Sequence, residues 1–63
     1  MKCNLQEIRR NKHMTRQNLA NIVGCSESTI SNIEKERNEP KIEIIIKIIK
    51  ALEINFEDLY NIN

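Results

Sequence analysis

This chain of 63 residues contains one glycine, one proline, one tyrosine, one phenylalanine and no tryptophan. So few turn formers and aromatics argue against a β-sandwich, which needs turn signals at short intervals. The net charge is only +1, so bulk charge alone says nothing about a nucleic-acid partner. Two cysteines, Cys3 and Cys25, lie far apart with no second pair, and His13 is the single histidine. Metal sites use clustered Cys and His, so no metal is expected. The thiols read as small hydrophobes in a reducing cytosol, and nothing in the pattern supports a disulfide. The longest apolar run, Ile44 to Ile46, is far too short to cross a membrane. The basic start is not followed by the apolar stretch of a secretory signal, so a cytoplasmic location is expected. There is no Gly-rich phosphate loop, metal constellation or nucleophile–base pairing, and so small a chain leaves little room for a pocket. Neither an enzyme nor a cofactor is therefore expected.

What is present is a single domain over residues 1–63. A core of this size supplies roughly 3–5 kcal/mol, and such domains often gain stability by associating. Charge is unevenly placed. Residues 1–37 carry seven Lys/Arg against four Glu, and residues 38–63 carry three Lys against five acids. A mildly basic front and acidic back suit a protein that meets phosphate from one side. The pattern reads as five helices. Asn4 is positioned to cap the first, from Leu5 to Lys12. Thr15 caps the second, from Arg16 to Val23, with Leu19, Ala20 and Val23 as its core stripe. Gly24 follows where a helix must end in a left-handed residue. Ser26 caps the third, from Glu27 to Lys35, with Ile30 and Ile33 inward and Ser28, Thr29, Ser31 and Asn32 outward. Residues 36–40 form a loop ending in Pro40. Lys41 to Leu52 is the fourth helix, striped by Ile45, Ile48, Ile49 and Leu52, and Asn55 caps a short fifth with Phe56, Leu59 and Tyr60 apolar.

The segment from Thr15 to Pro40 is the most specific feature. Two helices joined by so few residues cross steeply. That requires a small residue at the crossing, Ala20, and a turn residue, Gly24. One face of the third helix is then buried and its N-terminal end projects. The projecting side chains, Glu27, Ser28, Thr29, Ser31 and Asn32, are short and hydrogen-bond capable, as base-edge readout in the major groove requires. The starts of both helices also offer free N–H groups and a positive dipole end to phosphate.

The residues Thr15, Leu19, Ala20, Gly24, Cys25, Ser26, Ile30, Ser31, Ile33, Glu34 and Pro40 resemble the Cro/C1-type helix-turn-helix domain of phage repressors and small bacterial regulators. An end resembling that of the family runs from Leu52 to Tyr60. The resemblance implies an all-α, compact five-helix, lambda-repressor-like bundle with the helix-turn-helix at helices two and three. It further implies that Glu27, Ser28 and Asn32 read bases, with Glu27 accepting from a cytosine amino group and Asn32 pairing an adenine edge. Arg16 stands where many members have Gln, which strengthens phosphate contact. Gln17, Ser26, Thr29, Ser31, Lys35 and Arg37 are the other candidates for phosphate. Arg9 matches a family arginine that pairs with the acid ending the third helix, here Glu34. The family's glycine two residues further on is replaced by Glu36.

The fourth helix carries more isoleucine than one buried face can absorb. A contiguous exposed patch usually marks an interface. A two-fold homodimer is therefore expected, with Ile44, Ile46, Ile54, Tyr60 and Ile62 as candidates. A surface isoleucine excess that merely reflects an A+T-rich coding genome is the alternative. The expected function is a sequence-specific regulator, a repressor by preference, whose dimer reads a near-palindromic site in double-stranded DNA. The alternative is a partner-binding module, such as an antitoxin or accessory regulator subunit.

Overall fold

The helices begin and end where local chemistry changes. The computed structural model describes residues 2–37 and 39–61, in the order β1 (Lys2–Cys3), α1 (Leu5–Asn11), α2 (Arg16–Val23), α3 (Glu27–Glu34), α4 (Ile42–Leu52), α5 (Phe56–Leu59) and β2 (Tyr60–Asn61). Thr15 caps α2 reciprocally: its Oγ1 accepts from the Asn18 N–H at 3.0 Å, and Asn18 Oδ1 accepts from the Thr15 N–H at 3.1 Å. Ser26 caps α3 by accepting from the Thr29 N–H at 3.1 Å. In α5 the Asp58 carboxylate accepts from the Asn55 N–H at 2.9 Å. At the other ends, α2 stops at left-handed Gly24 (φ 83°) and α4 at left-handed Glu53 (φ 55°).

Every helix sends side chains into one core. Leu5 of α1, Leu19 of α2, Ile30 of α3, Ile48 and Leu52 of α4 and Leu59 of α5 are buried together. Ala20, Val23, Ile33, Ile45 and Tyr60 complete that core. Isoleucine is a poor helix former because its branched Cβ loses rotamer freedom, so burial of Ile45 and Ile48 overrides propensity in α4. The expected stripe is present, although Ile49 is only half-buried.

Three local expectations need correcting. Asn4 makes no side-chain cap to α1. Its amide instead donates to the Asp58 carbonyl at 3.3 Å, and its N–H donates to the Leu59 carbonyl at 2.8 Å. The competing interaction is a short antiparallel ladder: β1 pairs with β2, Lys2 opposite Asn61 and Cys3 opposite Tyr60. The all-α bundle thus closes its two ends with one two-stranded ribbon, which was not expected. In addition, α1 and α3 each end one residue earlier than their patterns predict, at Asn11 and Glu34.

The interface candidates are unequally placed. Ile46 is 44 % exposed, whereas Ile44 and Ile54 are half-buried against the core and Tyr60 is buried within it. Packing in the monomer therefore takes up the surface of Tyr60 and part of that of Ile44 and Ile54. Ile62 lies outside the described residues. Among the described residues, the large apolar side chains that do face outward are Ile22, Ile42, Ile46 and Phe56.

Candidate nucleic-acid interface

The turn between α2 and α3 is set by two amides folding back on one carbonyl. The N–H groups of Gly24 and Cys25 both donate to the Ala20 carbonyl, at 2.8 and 3.0 Å. Among the described residues, no atom beyond its two chain neighbours lies within 4 Å of where a Cβ on Gly24 would sit. Glycine is needed there for its left-handed φ, not for space. Ala20 is buried at the crossing, where a longer side chain would push the two helices apart.

This turn leaves the start of α3 projecting. Glu27 and Ser28 are exposed there, and Asn32, one turn further on, is half-buried. Thr29 and Ser31 are also half-buried. The Thr29 hydroxyl shares a 2.9 Å hydrogen bond with Ser26 Oγ, so both hydroxyls already serve the cap. Gln17 in the first turn of α2, and Lys35 and Arg37 just past the end of α3, are exposed. A cavity of about 280 Å³ separates α3 from the start of α4, lined by Cys25, Thr29, Asn32, Pro40, Lys41 and Ile44 among others. Burial pushes the Cys25 thiol above its ordinary range, with Lys47 opposing, so it stays protonated at neutral pH.

Behind the projecting end lies a charged clasp. Glu34, the last residue of α3, has a side chain only 1 % exposed. Its Oε2 accepts from Arg9 Nε of α1 at 2.7 Å, and its Oε1 accepts from Arg16 Nε of α2 at 2.9 Å. Arg9 also donates from Nη1 to the Met14 carbonyl at 2.7 Å. One carboxylate therefore ties three helices together. Arg9 and Glu34 meet as the resemblance implies. Arg16 was expected only as a phosphate contact; no local pattern marks its partner 18 residues away, just as the Arg9–Glu34 pair, 25 residues apart, was reached only through the resemblance. The departure from the family pattern two residues later, Glu36, adopts φ 56°, the conformation glycine supplies elsewhere. Its carboxylate accepts from the Cys3 N–H, which anchors β1 to the loop after α3.

Tyr60 lies opposite Cys3 in the ribbon, and burial, with the neighbouring Cys3 thiol adding to it, pushes the phenol up to about 12. Burial also raises the Cys3 thiol. Among the described residues no cluster of His, Cys, Asp or Glu is suited to hold a metal ion, and no helix is long and apolar enough to cross a membrane.

Comparison with known proteins agrees with this geometry. A family model described as helix-turn-helix matches residues 5–59. An uncharacterized HTH-type transcriptional regulator of Methanocaldococcus jannaschii is 33 % identical over 60 residues, covering 95 % of this chain and 91 % of that protein. Two uncharacterized HTH-type transcriptional regulators of Archaeoglobus fulgidus are 30 % and 32 % identical over the same share of this chain, covering 84 % and 86 % of their own lengths.

Proposed function

The chain belongs to the helix-turn-helix family of the Cro/C1 type, and from that membership we propose that it is a sequence-specific regulator of transcription acting on double-stranded DNA. The observation that carries this reading is the projecting first turn of α3. Glu27 and Ser28 stand exposed on a helix whose cap, turn and far end are all fixed by hydrogen bonds. Such an end fits a major groove, where Glu27 accepts from a cytosine amino group and Asn32 pairs with an adenine edge. Arg16, Gln17, Lys35 and Arg37 meet flanking phosphates, and the caps of Ser26 and Thr29 bring them and Ser31 near the same backbone.

The protein acts as a homodimer on a near-palindromic site, with the two α3 helices about 34 Å apart. Ile42 and Ile46, exposed and one turn apart on α4, support a second copy as the occupant of that side of the helix. Bound at a promoter, the dimer represses by occluding polymerase. The same exposed isoleucines favour a second reading, in which α4 docks a different protein and DNA binding is secondary. Sedimentation across concentration separates the two, since a self-associating chain sediments faster as its own concentration rises. The DNA reading is tested by selecting bound duplexes from a random pool. It expects one recurring site, and recovery of unrelated duplexes by a folded protein would reject it.

A further inference from the structure

Glu34 is more than a structural tie. Arg16 opens α2 at the proposed phosphate-binding edge, and its side chain is 31 % exposed while the carboxylate behind it is 1 % exposed. The acid is therefore screened from anything meeting that edge. A guanidinium offers five N–H donors in a fixed planar fork. The carboxylate holds the Nε edge, and the plane of the fork follows from that contact. Arg9, buried on the other carboxylate oxygen and on the Met14 carbonyl, fixes the acid in turn. Two arginines and one carboxylate leave one net positive charge, and the exposed part of the cluster belongs to Arg16.

We propose that Glu34 is a positioning residue for DNA binding, orienting the Arg16 guanidinium so that its terminal N–H groups meet a phosphate without loss of side-chain freedom on contact. This rests on the reading that Arg16 touches phosphate. The role is distinct from the Arg9–Glu34 tie between α1 and α3, because it acts through the second carboxylate oxygen. It makes a prediction of opposite sign to plain electrostatics. Removing a negative charge near DNA strengthens binding if charge alone matters. Removing the group that orients Arg16 weakens it.

The test is a double-mutant cycle on the full chain, with anisotropy measured on selected and scrambled duplexes across salt. Glu34→Gln is expected to weaken binding about three- to tenfold per half-site in the Arg16 protein, the scale of one net hydrogen bond in each subunit. In the Arg16→Ala protein the same change is expected to have no effect. Arg16→Ala itself lowers the salt slope by about 0.9 per subunit bound, one phosphate in each half-site, and does so on both duplexes. If Glu34→Gln weakens binding equally in both backgrounds, or strengthens it, the positioning role is overturned while the phosphate contact stands. If Arg16→Ala changes neither affinity nor slope, the phosphate reading falls and the proposal with it. Should Glu34→Gln not fold, Arg16→Lys decides, since it keeps both the charge and the Arg9–Glu34 pair. It is expected to lose about three- to tenfold in affinity per half-site at an unchanged salt slope, and wild-type affinity would overturn the proposal.

Discussion

Glu34 and Tyr60 are the two side chains whose burial has the sharpest consequences. Glu34→Ala leaves the Arg9 guanidinium buried with no counter-charge, a change that costs about 3–5 kcal/mol. That equals the roughly 3–5 kcal/mol a core of this size supplies. Circular dichroism on heating should therefore show little or no cooperative transition for this variant. A midpoint within a few degrees of the parent would mean that Arg9 finds other support. Tyr60 titrates near 10 in an unfolded chain but is pushed up to about 12 in the fold by burial. Above pH 10 the unfolded state gives up this proton while the folded state keeps it, so unfolding is favoured progressively. Its contribution is intact below pH 10 and is lost as pH rises through about 12. Denaturant titrations at several alkaline pH values should show this slope, and Tyr60→Phe should flatten it. An identical slope in both proteins would assign the alkaline loss to other groups.

At the scale of the elements, the ends of the helices decide what is legible. Gly24 and Glu53 both sit in the left-handed region, but only one of them is glycine. Gly24→Ala places a Cβ in open space, so its cost is that of conformation alone, about 1–2 kcal/mol. Glu53→Gly relieves the same strain at the end of α4, less the added freedom of the unfolded chain, and should stabilise by up to about 1 kcal/mol. Urea midpoints check both signs. A neutral Gly24→Ala would mean that the turn tolerates another conformation. The caps at Thr15 and Ser26 and the stop at Gly24 could be read from sequence because each depends on partners within a few residues. The Asn4 cap could not, because its amide and N–H are taken by Asp58 and Leu59 at the opposite end of the chain. A two-residue strand has no period to detect, so the β1–β2 ribbon left no trace in the pattern. The exposure of Glu27 and Ser28 was readable from the polar row on α3, whereas Thr29, Ser31 and Asn32 of the same row are half-buried. The clasp that holds them was only half readable, because Arg16 looked like a surface charge until α2 and α3 were packed together.

For the whole molecule, the issue is how many copies reach the DNA. Ile42 is 65 % exposed and Ile46 44 %, on the side of α4 away from the cavity beside α3. Replacing both with Lys leaves the monomer core untouched, so folding should persist while sedimentation shifts to a monomer. Binding to a two-half-site duplex should then weaken at least about tenfold, whereas a single half-site should be little affected. An unchanged sedimentation profile would remove α4 from the interface. On the proposed reading, the identity of the site bound rests with Glu27 and Ser28, which are exposed, and with half-buried Asn32. The most direct measurement is the affinity of the purified chain for its selected duplex against a scrambled duplex, at one salt concentration and with Asn32→Ala beside the parent. We expect the parent to prefer the selected site by about a thousandfold or more. Asn32→Ala should lose about 1–3 kcal/mol of that preference at one base position in each half-site. Equal affinity for both duplexes, by a protein that is folded and keeps its salt dependence, would contradict a sequence-reading role for α3.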